Sequence, residues 1–263
     1  MPFGCLVTGQ LMMLTLTIWS GPPEQRPPAR EAVARGFIYK TITLGGEEYA
    51  YCVYVPVDYS QERSYPLILF LHGSGERGDD GFKQIEVGLP RLIRTKRLRP
   101  RALIVMPQCR RGKSWSGEMA QLALRCVEKT AAEYRIDPER LYLTGLSLGG
   151  AGTWLLGSAL SERFAALVPV CGFGDPGKAE KLAKIPTWVF HGADDDRVPV
   201  EKSREMVKAI RDAGGDIRYT EYPGVTHNCW DRAYSDPELF RWLFKQRTKQ
   251  DQAAPTPGRE PPP

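Results

Sequence analysis

The hydrophobic residues of this chain gather into short dense runs, and helically spaced stretches separate them. Leu67–Leu71 (LILFL), Ala102–Met106, Leu141–Thr144, Ala166–Val170 and Thr187–Phe190 are near-continuous apolar runs of four or five residues. Runs of that kind suit strands covered on both faces of a sheet. Phe37–Leu44 and Glu48–Val57 predict two further strands joined at Gly45-Gly46, a hairpin-turn dipeptide. Ile217–Tyr222 alternates as a last strand does. Helical spacing fills the gaps at about 84–97, 118–134, 148–160, 201–213 and 236–246. The fourth helix is bounded by Pro199 before it and Gly214-Gly215 after it. Strands alternating with helices predict an α/β domain with a mainly parallel sheet of about eight strands flanked by helices. Function in such sheets collects beyond the carboxyl ends of the strands.

The two ends read differently from the middle. Leu11–Trp19 (LMMLTLTIW) has the length of a signal-peptide core and is too short to span a bilayer. Residues 1–21 therefore read as a signal peptide, which predicts a secreted or periplasmic protein. The preceding MPFGCLVTGQ lacks basic residues and no clean small-x-small site follows, so a misassigned start, with a cytoplasmic protein, or a simple anchor is the alternative. Residues 22–35 are rich in Pro and charge and read as a linker; 247–263 read as a disordered polar tail. The folded domain is expected over 36–246.

At 263 residues, 42% hydrophobic and 25% charged, the chain suits one globular domain and excludes wholesale disorder or a polytopic membrane protein. The net charge of +5 is mild. Its densest basic stretch, Arg91 to Arg101, is interleaved with Leu and Ile and reads as a solvated helix face rather than a nucleic-acid site. The six cysteines, at 5, 52, 109, 126, 171 and 229, show no metal-ligand spacing, and most read as small buried residues. No metal or organic cofactor is expected. The acidic run at 194–196 is too short and continuous for a calcium loop.

The chemistry lies at the strand ends. Gly145-Leu146-Ser147-Leu148-Gly149-Gly150 follows one apolar run and opens a helix, the setting that turns a serine into an exposed nucleophile. Two other strands are followed by His191-Gly192-Ala193-Asp194-Asp195-Asp196 and by Pro223-Gly224-Val225-Thr226-His227. A serine, then an acid, then a histidine is the chain order of an α/β-hydrolase triad. Ser147 is the candidate nucleophile and His227 the candidate base. His72 and His191, each preceding a glycine at a strand end, read as loop-shaping residues.

HGSGERGDD, GLSLGGAGTW, FHGADDDRVPV and EYPGVTHNCWDRAY together resemble the polyhydroxybutyrate-depolymerase/feruloyl-esterase-like, "predicted peptidase" branch of the α/β-hydrolases, over about residues 37–246. The resemblance implies the α/β-hydrolase fold. Its H-G-x-x-D-x-x-V-P frame places the acid at Asp195, and it places an oxyanion donor at the Ser74 N–H, beside that of Leu148. Trp115 and Trp230 are candidate pocket walls, whereas Trp154 reads as core and Glu76 and Arg77 as braces of the oxyanion loop. Only about fifteen residues separate Val170 from Thr187, so no large lid domain fits and the site should be open. The expected activity is that of a serine carboxylic ester hydrolase of feruloyl- or acetyl-esterase type, acting on small or oligomeric esters. A serine peptidase, a dienelactone-type lactonase and a non-catalytic binder on the same scaffold are the alternatives. Neither a nucleic-acid partner nor stable membrane association is expected, and the oligomeric state is left open.

Overall fold

A computed structural model of the chain describes residues 33–248. The signal-like segment, most of the linker, Cys5 and nearly all of the tail lie outside the described residues. Eight strands form one sheet in the order β1-β2-β4-β3-β5-β6-β7-β8. These are β1 (Gly36–Leu44), β2 (Glu47–Val55), β3 (Tyr65–Leu71), β4 (Leu103–Pro107), β5 (Ile136–Leu146), β6 (Ala166–Val170), β7 (Thr187–Gly192) and β8 (Ile217–Tyr222). The first two form an antiparallel hairpin, turned by Gly45 and Gly46 at φ of 60° and 86°, and β2 joins β4 antiparallel. From β4 to β8 every pairing is parallel.

Helices cover both faces because alternate residues of each interior strand point to opposite sides. On one face α1 (Gly88–Arg94), α6 (Trp230–Tyr234) and α7 (Pro237–Leu243) meet Ile68, Phe70, Tyr142, Val168 and Phe190 in one apolar cluster. On the other lie α2 (Gly117–Glu133), α3 (Leu148–Ala159), α4 (Ala179–Leu182) and α5 (Glu201–Asp212). Helix α2 buries Met119, Leu122, Ala123, Cys126, Val127 and Thr130, and α5 buries Ser203, Met206, Val207 and Ile210, each set at helical spacing. Helix α5 ends where Gly214, at φ 78°, turns the chain so that the Gly215 N–H donates to Ile210 O at 2.9 Å. Every side chain of Leu67–Leu71 is fully buried. Each such burial contributes roughly 1.5–3 kcal/mol, so this strand is a rigid base for the loop that follows it.

Two predicted elements change. The helix expected over 84–97 shrinks to α1, because Gly88 and Lys96 adopt left-handed φ of 60° and 61° and bracket it. The basic stretch to Arg101 is therefore helical only at its start. The strand expected over 141–144 extends back to Ile136, where Tyr65 pairs with Ile136 across a register shift. The 171–186 connection holds one short 3-10 turn and α4, with no lid. Among the described residues, no helix is long and apolar enough to cross a membrane.

Candidate active site

Ser147 sits between β5 and α3 at φ 53° and ψ −115°, a conformation that non-glycine residues rarely occupy. Holding it costs on the order of 1–3 kcal/mol. Two close approaches of backbone enforce it. A Cβ on Gly149 would overlap the Leu71 carbonyl, and one on Gly145 would overlap the Gly149 carbonyl. The Ser147 N–H donates to Val170 O at 2.9 Å, tying the turn to the end of β6.

His227 and Asp195 arrive from the loops after β8 and β7. The Ser147 hydroxyl lies 2.9 Å from His227 Nε2, and His227 Nδ1 lies 2.9 and 2.8 Å from the two Asp195 oxygens. An ionised carboxylate only accepts, so Nδ1 carries the proton and Nε2 presents its lone pair to the serine. Asp195 is chosen from its acidic run by the loop. Its Oδ1 accepts from the Arg197 and Val198 N–H groups, each at 2.9 Å, while Asp194 and Asp196 are exposed. Burial alone would raise the Asp195 pKa; the His227 ring and these two N–H groups override it and hold the carboxyl below its ordinary range.

A contact that sequence reasoning did not foresee is His191. It is fully buried, its Nε2 is 3.0 Å from Asp195 Oδ2 and 2.9 Å from Val198 O, and its Nδ1 is 2.7 Å from Ser203 Oγ. Carbonyl and carboxylate oxygens require the proton on Nε2, so Nδ1 accepts from the Ser203 hydroxyl. His191 thus shapes its loop as expected and also anchors Asp195. Trp230 packs edge-on against the His227 ring at 5.5 Å between centroids and is not among the residues lining the cavity beside Leu148.

The two residues expected to supply oxyanion donors sit after β3 and β5. Ser74 opens a single 3-10 turn after Gly73, and Leu148 opens α3 next to Ser147. A Cβ on Gly73 would lie 2.9 Å from Leu146 Cδ1 and 3.6 Å from Ser147 Cβ, so the loop passes against the candidate serine. Buried His72 pins it. Its Nδ1 donates to Gly73 O at 2.7 Å, its Nε2 accepts from the Cys109 N–H at 3.0 Å, and Trp115 Nε1 donates to its carbonyl at 2.9 Å. Burial lowers the His72 pKa to about 4, consistent with this neutral tautomer. Arg77 donates to Ser74 O at 3.0 Å and to Lys113 O at 3.1 Å, bracing the turn from outside. Asp80 accepts from the Phe82 and Lys83 N–H groups and from Gln108; although burial pushes the other way, these hold its carboxyl at about 2. Burial raises the Glu76 carboxyl, whose Oε2 is enclosed beside Gly73 without a hydrogen-bond partner.

Beside Leu148 opens a cavity of about 400 Å³. Trp115, Trp154, Leu155, Phe173 and Leu182 form apolar walls, with Ser114, Ser116 and Lys178 among the polar lining. Trp154 is therefore both core and wall. Phe173 and Lys178 come from the short 171–186 connection, which lines the site in place of a lid. Leu155 and Phe173 are 46% and 48% exposed, an apolar rim facing solvent.

A model of the dienelactone hydrolase family matches residues 109–239, which hold the serine turn, the acidic loop and His227. The chain belongs to the α/β-hydrolase superfamily. A solved thermostable esterase superimposes on this hydrolase with a TM-score of 0.74 at 37% identity, covering 80% of this chain and 63% of that one. A ferulic acid esterase structure gives a TM-score of 0.61 at 18% identity, over 80% of this chain and 98% of that one, which speaks for the fold alone. The bifunctional acetylxylan esterase/xylanase of Neocallimastix patriciarum is 27% identical over 151 residues, 56% of this chain and 22% of that relative. The hydrolase thus spans about a fifth of that relative's length.

Among the described residues the cysteines at 52, 109, 126, 171 and 229 are all buried and unbridged. Cys171, at the end of β6, was not singled out by sequence reasoning; it has a φ of 40° and lies against the Asp195–His227 pair.

Proposed function

We propose that this α/β-hydrolase is a serine carboxylic ester hydrolase that works through an acyl-enzyme, with Ser147 as nucleophile, His227 as general base and acid, and Asp195 as the group that orients and charges the imidazole. The Ser147 Oγ to His227 Nε2 contact at 2.9 Å, backed by Nδ1 on both Asp195 oxygens, carries the reading. Ser147 Oγ attacks the ester carbonyl as its proton passes to Nε2. The oxyanion of the tetrahedral intermediate is received by the Leu148 and Ser74 N–H groups. Collapse expels the alcohol, which takes the proton from Nε2. Water then repeats the sequence, returning the acid and free Ser147.

The cavity beside Leu148 favours a bulky, flat, apolar group over acetyl, since an acetyl group leaves most of about 400 Å³ unfilled. Aromatic walls at Trp115, Trp154 and Phe173 suit an aryl acyl group of the feruloyl kind, and the exposed rim suits a substrate that extends into solvent. A lactone of the dienelactone type is the second reading, favoured by the family match over 109–239. The signal-like segment at 1–21 supports action outside the cytoplasm, where oligomeric esters are met.

Labelling with a serine-directed phosphonate tests the enzyme reading. One adduct at Ser147, lost in Ser147→Ala, is expected; labelling elsewhere or none at all refutes it. Rates on methyl ferulate, p-nitrophenyl acetate, a dienelactone and a peptide amide then rank the substrates. Methyl ferulate should be turned over with the highest kcat/KM among the unactivated substrates, and amide cleavage exceeding it would reverse the assignment.

A further inference from the structure

Cys171 is fully buried, yet its backbone is held at a φ of 40°. Its N–H donates to Phe190 O at 2.8 Å, the residue before His191. Its sulfur, an Asp195 carboxylate oxygen and a His227 ring nitrogen all lie within 4.8 Å of one another. Among the described residues this is the one such cluster of metal-ligating side chains. A second buried thiol, Cys229, stands against Cys171. The ester hydrolysis derived above gives neither thiol a task. Burial, reinforced by Cys229 and the Asp195 charge, holds the Cys171 thiol well above its ordinary pKa. It is therefore a poor nucleophile toward electrophiles, but a soft cation can still displace its proton.

We propose that Cys171, Asp195 and His227 form a latent inhibitory site for a thiophilic divalent cation of the zinc class, with solvent as fourth donor. The inhibitory consequence rests on the serine-hydrolase reading; the binding does not. The cation takes the thiolate of Cys171, one Asp195 oxygen and the Nδ1 lone pair of His227, and one proton, from the thiol, leaves to solvent. The proton that Nδ1 now carries moves to Nε2. An Nε2–H imidazole cannot accept the Ser147 proton, so occupation and catalysis exclude each other. A tetrahedral zinc has bonds of about 2.0–2.3 Å and needs donors roughly 3.3–3.7 Å apart. The Nδ1 to Asp195 contact, now 2.8 Å, must widen, and the sulfur, within 4.8 Å of both other donors, must come into bonding range. Access runs past His227, whose side chain keeps 13% exposure while that of Asp195 keeps none. The sulfur and imidazole donors exclude the oxygen-preferring cations.

The full-length protein, freed of metal by chelator, is titrated with Co²⁺. Thiolate-to-cobalt charge-transfer absorption should grow to one equivalent, and Zn²⁺ should abolish ester turnover reversibly to chelator, with Mg²⁺ doing neither. In Cys171→Ala the absorption should vanish, and half-inhibition by Zn²⁺, scored against that variant's own metal-free rate, should need at least tenfold more metal. Zinc X-ray absorption on the wild-type protein keeps the test decisive should that variant not fold: a shell with sulfur is expected. A shell without sulfur, no charge-transfer band, or unchanged zinc sensitivity in Cys171→Ala overturns the site. Failure of the phosphonate to label metal-free Ser147 would instead overturn the hydrolase reading, with the cobalt band unaffected.

Discussion

Asp195 offers a sharp test of how the loop after β7 sets the chemistry. Three donors bond its two oxygens: the Arg197 and Val198 N–H groups on Oδ1 and His227 Nδ1 across both, while His191 Nε2, which bonds Val198 O, lies 3.0 Å from Oδ2. A carboxylate has about four lone-pair sites and accommodates them. In Asp195→Asn only one oxygen remains, and the amide adds donors. With the oxygen toward Arg197 and Val198, the NH₂ faces His191 and His227, so His227 must turn a lone pair to it and carry its proton on Nε2. With the amide reversed, two backbone donors lose their acceptor, at about 1–3 kcal/mol each, so the first orientation wins. The wrong tautomer lowers kcat by about 10⁴ when a serine protease undergoes the same exchange, equivalent to about 5 kcal/mol of barrier. The expected result is a loss of that size in kcat for p-nitrophenyl butyrate, with the fold kept. Active sites are counted by phosphonate titration and folding is checked by thermal melting. A folded variant that retains more than about a tenth of wild-type kcat would refute the argument, since such a loss is worth only about 1.4 kcal/mol.

Other outcomes follow from the same geometry. His72 has a folded pKa of about 4 against an ordinary 6.5, so the unfolded chain takes up the proton first. Stability is full above pH 6.5 and falls as pH drops toward 4, by on the order of 3 kcal/mol; in His72→Asn the melting temperature should be lower at neutral pH and flatter across that window. Ser74→Pro removes a backbone donor and should cut kcat by about 10²–10³, whereas Ser74→Ala should stay near wild type; equal effects of the two would move the oxyanion donor elsewhere. Phe173→Ala should lower kcat/KM on methyl ferulate by about tenfold, in line with roughly 1.4 kcal/mol of lost apolar contact, and leave p-nitrophenyl acetate within about twofold. Gly172→Ala places a Cβ 2.5 Å from Gly150 C and 2.8 Å from the Ala151 N, so the first turn of α3 must shift; circular dichroism and turnover should both show loss, and normal values in both would contradict the packing.

The interior strands were legible because each is buried on both faces and therefore reads as an unbroken apolar run. The first residues of β5, Ile136-Asp137-Pro138-Glu139-Arg140, were not, because half-exposed polar residues enter the sheet only through pairing with Tyr65. Helix α1 was over-extended because helical spacing continues through Lys96, whereas its left-handed φ does not. At the site, glycines at 145 and 149 announce a crowded turn in one dimension. The role of His191 does not show in that way, since a four-residue spacing through a loop fixes no distance. Only the fold brings Nε2 to Asp195.

Strain in the backbone ties these observations together. Three non-glycine residues have positive φ among those described: Lys96, Ser147 and Cys171. Lys96 closes an exposed helix end, but the other two stand at the ends of neighbouring strands, β5 and β6, joined by the Ser147 N–H to Val170 O bond. Just beyond them Gly150 and Gly172 pack backbone to backbone, so that a Cβ on Gly150 would lie 2.9 Å from Gly172 Cα. One strained unit at about 1–3 kcal/mol per residue is affordable only where the fully buried strands beneath it over-determine the chain. That unit lifts the Ser147 hydroxyl out toward His227, and it sets the Cys171 sulfur behind the Asp195–His227 pair. The same local crowding that presents a serine hydroxyl at one strand end thus buries a thiol at the next.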